Sequence, residues 1–203
     1  LCYSFVAMPS LLILASGSPR RKQMLTDLRL PFTIDPADVD ETPLPDEPAD
    51  AMVLRLARDK ADVVAARHPH DWVLASDTTV ALESHVLGKP KDADDARRML
   101  NLLQGRTHQV HTAICLRKGS EVYDMIDTSN VTFRAMTPEQ IDWYVATGEP
   151  LDKAGAYAIQ GTGGLFIERL DGSFATVMGL CTEKLCNLLD TLGLLDGWLG
   201  ING

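Results

Sequence analysis

Short apolar runs and longer amphipathic stretches alternate along the chain. LLILAS (11–16) is a continuous apolar run of the length expected for a buried strand. It stops at Gly17-Ser18-Pro19, where Ser as N-cap and Pro at the first helical position open a helix to about Leu28. DPADVDETPLPDEPAD (35–50) is acidic, rich in proline and predicts a loop. A long helix follows from about Ala49 to His68, with Val53, Leu56, Ala57, Val63 and Val64 as its apolar stripe. WVLAS (72–76) and TTVALE (78–83) read as two strand-like runs on either side of Asp77. DADDARRMLNLLQG (92–105) starts on Asp and stops on Gly, as a helix does. HQVHTAICLRK (108–118) and EVYDMIDTSNVTFRA (121–135) predict a hairpin around Lys118-Gly119. Thr137-Pro-Glu-Gln140 is a capping box, opening a helix that Gly148 closes. LFIERLDGSFATVMGL (165–180) has a hairpin pattern, and a last helix covers about 181–192. With no repeat and no low-complexity linker, the alternation predicts one α/β domain with a mixed sheet, at residues 11–195. Residues 1–10 are expected to be an N-terminal extension and 196–203 a tail.

Charge narrows the possible ligands. The 203-residue chain is 45% hydrophobic and 23% charged, with a formal net charge of −9. That balance argues against nucleic acid or an anionic membrane as a partner held by bulk electrostatics. Any anion site must therefore be local, which makes clustered Arg and Lys informative. The four cysteines (Cys2, Cys115, Cys181, Cys186) form no CxxC and read as reduced thiols, consistent with a cytoplasmic protein. LCYSFVA at the start is apolar but short and lacks a basic segment, so a signal peptide is not expected. No apolar run approaches membrane-spanning length.

Several positions could carry chemistry. Arg20 and Arg21 stand in the first turn of a helix, where the dipole disfavours positive charge. They make sense there if an anion such as phosphate sits at the helix start; otherwise they are solvated or pair with the acidic loop 35–50. Lys60 falls within the apolar stripe of its helix, so its ammonium must snorkel, pair or meet a ligand. Asp77 and Thr78 follow a buried strand; an Asp there can bind a divalent metal or deprotonate a water, or can simply cap a turn. Gly88-Lys89-Pro90 offers a further cation on a constrained loop. LDKAGAYAIQGTGG (151–164) surrounds Tyr157 and Gln160 with glycine, either as a wall close to a ligand or as a flexible surface loop. A Gln amide can read a base edge by paired donor and acceptor. His108 and His111 would lie on opposite strand faces, and no HExxH occurs, so zinc is not expected. Four cations, the acidic Asp77 and Glu41, and a glycine-rich wall on an acidic chain together make an inventory for a polyphosphate with a metal ion.

LASGSPRRKQML, RLARDKA, ASDTTV, GKP, PLDKAGAYAIQGTGG and GSFATVMGL occur in an order that closely resembles the Maf family of nucleoside triphosphate pyrophosphatases, over about Leu11 to Leu189. The resemblance implies an ITPase-like fold, a mixed twisted sheet flanked by helices around a central nucleotide-binding cleft. It also implies a divalent cation (Mg²⁺ or Mn²⁺), a homodimer, and cleavage between the α and β phosphates to a nucleoside monophosphate and pyrophosphate. Ser16, Arg20, Arg21, Lys60 and Lys89 match phosphate-site positions of that family, Asp77 its proton acceptor, and Glu41 an acidic partner in handling metal or water. Glu41 and Asp77 are thereby the expected metal ligands, shared with substrate phosphates. Asp77-Thr78 and Gln160 resemble the branch acting on dTTP and UTP, with Arg20, Thr78 and Gln160 at specificity positions. Gly179-Leu180-Cys181 departs from the usual GLP, and Phe174 stands where Tyr is common.

The expected activity is thus pyrophosphatase action on dTTP and UTP, or on modified pyrimidine nucleotides. A nucleotide-sensing module linked to cell-division control, without turnover, is the alternative. A sugar-phosphate phosphatase ranks third, since DxDx[TV]-type nucleophile spacing is absent.

Overall fold

The structure is a computed structural model describing residues 11–201. The expected extension 1–10, with Cys2, lies outside the described residues. The first apolar run is paired on both sides: β1 (Leu12–Leu14) lies parallel to β2 (Phe32–Ile34) and to β3 (Trp72–Leu82). Helix α1 (Pro19–Asp27) joins β1 to β2, and α2 (Ala49–Ala65) joins β2 to β3. A short β4 (His85–Leu87) folds back on the far end of β3. After α3 (Ala93–Leu103), β5 (Thr107–Lys118) and β6 (Glu121–Phe133) form the long hairpin expected around Gly119. The capping box opens α4 (Pro138–Ala146), and β7 (Ile167–Asp171) completes a mixed sheet of order β2-β1-β3-β5-β6-β7. Three helices end the chain: α5 (Phe174–Met178), α6 (Thr182–Thr191) and α7 (Leu195–Leu199).

The period-two alternation of strands sorts side chains onto two faces. Ile13, Ala15, Val73 and Ala75 pack under Val53, Ala57, Ala61 and Val64 of α2. Leu12, Leu14, Trp72 and Leu74 pack on the other face with Leu25, Leu185, Leu189 and Trp198. A further cluster at the far end joins Val80, Leu82 and Leu87 to α3 and α4.

Four expectations change. The two runs around Asp77 are one strand, since β5 pairs with β3 without a break from Val73 to Ala81. Asp77 therefore lies inside a strand and caps no turn. The run 165–180 is not a hairpin: after β7, Ser173 accepts from the Thr176 N–H and opens α5 in place of a second strand. Val63 is exposed, and Ala61 is buried in the α2 stripe alongside 53, 57, 60 and 64. The expected tail includes most of α7, whose buried Trp198 packs into the sheet's core.

Candidate active site

The cleft arises where the sheet splits. β1 makes its last contact with β3 when the Ala15 N–H donates to the Leu74 carbonyl, and β4 meets β3 only at Val80. On that edge, residues 76–79 of β3 have no strand beside them among the described residues, and β5 covers the other edge throughout. The chain leaving β1 turns into α1 at one border of the gap, and the chain leaving β4 supplies Gly88 and Lys89 at the other. The result is a cavity of about 670 Å³ floored by Asp77, Thr78 and Thr79.

Alternation along β3 sends Asp77 toward α2 and Thr78 toward α5. On the α2 side, Lys60 Nζ lies 2.6 Å from Asp77 Oδ1 and 2.6 Å from Glu41 Oε1. Of the three readings open for Lys60, pairing is the one observed. Its two partners differ in depth: the Asp77 side chain is 10% exposed and that of Glu41 55%. Burial raises the Asp77 pKa above the ordinary carboxylate value, with Lys60 and Arg21 opposing it. Glu41 is also opposed by desolvation, but the Lys60 hydrogen bond and charge prevail and its pKa is lowered.

On the other face Arg21 is a clasp. Its Nε donates to the Gly179 carbonyl at 2.8 Å, Nη2 to Thr78 Oγ1 at 3.1 Å and Nη1 to Ser16 Oγ at 3.3 Å. Ser76 Oγ donates to the same Gly179 carbonyl at 2.9 Å. Thr112 gives its hydroxyl proton to the Thr176 carbonyl at 2.7 Å, so Thr78, 2.9 Å away, is left to donate to Thr112 while accepting from Arg21. Burial draws the Arg21 pKa down, with the charge of Asp77 opposing it. Its guanidinium points inward and makes no ion pair with the loop 35–50. Arg20 also lines the cleft, and its buried Nε has no hydrogen-bond partner among the described residues. The α1 N-terminus faces the same space, with Ser18 as N-cap.

Of the nine predicted site residues, Ser16, Arg20, Arg21, Glu41, Lys60, Asp77, Thr78 and Lys89 all line this cleft. Gln160 does not; it is exposed, and its neighbour Ile159 reaches the wall instead. Lys153 and Asp152, which the sequence does not single out, also line the cleft, paired to each other. Five cations thus face three carboxylates, against the negative charge of the whole chain. The Gly179 carbonyl was missed because its segment was expected to be a strand.

His108 and His111 do face opposite ways, bonded to the Tyr157 hydroxyl and to Thr128. No group of three or more His, Cys, Asp or Glu able to hold a metal occurs among the described residues.

Comparison with known proteins decides the family. The family model described as Maf-like protein matches residues 11–192. This chain belongs to the Maf family. Among similar proteins, the dTTP/UTP pyrophosphatase of Myxococcus xanthus (strain DK1622) is 51% identical over 189 residues, covering 93% of this chain and 96% of that protein. The dTTP/UTP pyrophosphatase of Escherichia coli (strain UTI89 / UPEC) is 46% identical over 185 residues, covering 91% and 94%. Among solved structures, the Staphylococcus aureus Ham1 protein aligns with a TM-score of 0.45 and 16% identity, over 89% of this chain and 96% of that one. The cleft of this Maf-family chain therefore sits within the matched region, with every lining residue between 15 and 179.

Proposed function

We propose that this chain hydrolyses dTTP and UTP to the nucleoside monophosphate and pyrophosphate, with the cleft at the split sheet as its active site. The relatives named dTTP/UTP pyrophosphatase, about half identical over nearly the whole chain, support the substrate class. The observation that carries the chemistry is Asp77, a buried carboxylate in a cavity rimmed with cations.

In this reading the triphosphate lies across Arg20, Lys60, Lys89 and the α1 N–H groups, which neutralise charge as it shifts to the leaving pyrophosphate. Arg20 Nε is a buried donor awaiting an acceptor. Arg21 and Ser16 shape the phosphate end by holding Thr78 and Gly179 in place. Asp77 accepts the proton of the attacking water. Lys60 occupies its Oδ1, and its raised pKa makes it a stronger base than an exposed carboxylate.

A divalent cation fits this donor set only as a joint ligand of protein and substrate. Glu41 and Asp77 supply hard oxygen donors, Lys60 already bridges them, and phosphate oxygens would have to complete the shell. Mg²⁺ or Mn²⁺ held there supplies further charge neutralisation on the phosphates. Specificity in this reading rests on Arg20, Thr78 and Gln160, through the family resemblance. A homodimer and a cytoplasmic location belong to the same reading; no helix among the described residues is long and apolar enough to cross a membrane.

A nucleotide panel with Mg²⁺ or Mn²⁺, scored for pyrophosphate against orthophosphate, tests the function. Pyrophosphate from dTTP and UTP is expected; nucleotide binding without turnover points to the sensing module, and orthophosphate to a phosphatase. Asp77→Asn should cost about two to four orders of magnitude in turnover. Near-normal turnover would remove Asp77 from its role.

A further inference from the structure

One carboxylate outside the cleft controls part of its wall. Glu149 follows α4, and its side chain holds three donors from two places in the chain. Oε1 accepts from the Thr162 N–H at 3.0 Å, and Oε2 from the Gly163 N–H at 2.8 Å and from the Tyr144 hydroxyl at 2.7 Å. The Tyr144 oxygen in turn accepts from the buried Ala158 N–H at 3.1 Å. Both ends of the segment 158–163 are thus tied to one carboxylate, directly at 162–163 and through Tyr144 at 158.

Glycine lets the neck of this loop close. A Cβ on Gly163 would stand 2.4 Å from the Ala158 carbonyl oxygen and 2.4 Å from the Tyr144 hydroxyl. At Gly161, with φ of 114°, it would stand 2.3 Å from Glu149 Oε1. The loop is therefore folded back on itself around the clasp, and its tip carries Ile159 and Gln160. Ala158 and Ile159 line the cleft. Burial opposes ionisation of Glu149, yet its donors and Lys153 hold its pKa below the ordinary value.

We propose that Glu149 is a positioning residue for substrate selection: its carboxylate clamps the neck of the 158–163 loop and so sets where Ile159 and Gln160 meet the nucleoside end of the substrate. This rests on the pyrophosphatase reading above, in which the phosphates lie along Arg20, Lys60, Lys89 and the α1 N-terminus. Glu149 touches neither substrate nor reacting atoms, so its loss moves nucleoside recognition and leaves the phosphate end alone.

Glu149→Gln tests this, because either orientation of the amide turns an acceptor into a donor facing the Thr162 or the Gly163 N–H. In the full chain, hydrogen exchange at Thr162 and Gly163 should speed up by about tenfold or more, the scale of losing a hydrogen bond to a charged group. KM for UTP should rise about tenfold while kcat stays within about twofold. Competitive inhibition by inorganic tripolyphosphate, which has no nucleoside, should be unchanged. Tyr144→Phe, which strips the Ala158 N–H of its acceptor, should move the same quantities in the same direction and covers the case in which Glu149→Gln fails to fold. The proposal is overturned if exchange stays slow, if KM for UTP is unmoved, or if UTP and tripolyphosphate weaken together. A wild-type chain that does not turn over UTP would instead bring down the underlying function.

Discussion

Lys60→Met removes the cation between Asp77 and Glu41 while keeping most of the side-chain volume. Glu41 loses little, since its side chain is more than half exposed and water replaces the ammonium. Asp77 is 7% exposed and cannot be rehydrated in the same way. Its escape is to take up a proton, which sets a ceiling on the cost. Holding protonated in the fold a carboxyl that ionises near 3.9 when unfolded costs about 4 kcal/mol at pH 7 and about 1.5 kcal/mol at pH 5. The figure at pH 7 agrees with the roughly 3–5 kcal/mol typical of breaking a buried pair on one side only. The sign follows from proton counting: the folded variant binds a proton that the unfolded chain releases, so stability falls as pH rises through this window. Urea unfolding of wild type and variant at pH 5, 6 and 7 measures it. The expected gap widens by up to about 1.4 kcal/mol per pH unit, and Lys60→Met combined with Asp77→Asn closes most of it. A gap that is the same at pH 5 and pH 7, and that survives in the double variant, would refute the pairing as the reason Lys60 lies in the apolar stripe.

Three further outcomes are expected. Burial holds the His108 pKa at about 4, so the unfolded chain binds more protons than the native one between pH 4 and 6.5. Acidification to pH 4.5 should therefore cost about 2–3 kcal/mol that His108→Gln does not lose, measured by urea midpoints at pH 7.5 and 4.5. Arg21→Lys keeps the charge but cannot serve Gly179, Thr78 and Ser16 together, and should lower stability by about 1–3 kcal/mol in thermal or urea unfolding. Gln160→Glu removes two donors and adds negative charge next to the cleft-lining Ile159, so relative rates on dTTP, UTP and GTP should shift against the pyrimidines; unchanged ratios would take Gln160 out of base reading.

Local rules written in the chain were enough for much of this molecule. Ser18-Pro19, the Thr137–Gln140 capping box, Gly119 and Gly148 act through their own backbone, and each stands where its local chemistry puts it. The lysine in an apolar stripe and the arginines at a helix start all line one cleft, because a charge against its local rule needs a distant reason. What that reason is depends on partners far along the chain. Lys60 meets Asp77 and Glu41, and Arg21 meets a carbonyl 158 residues away. Strand continuity through Asp77 was hidden because it is imposed by β5, whose register is a long-range pairing that no short window contains. The packing of Trp198 was decided in the same way, by what the sheet offers to cover. The cleft itself is a tertiary fact: it exists because β1 leaves the edge of β3 before β4 arrives, and nothing in either strand alone records that gap.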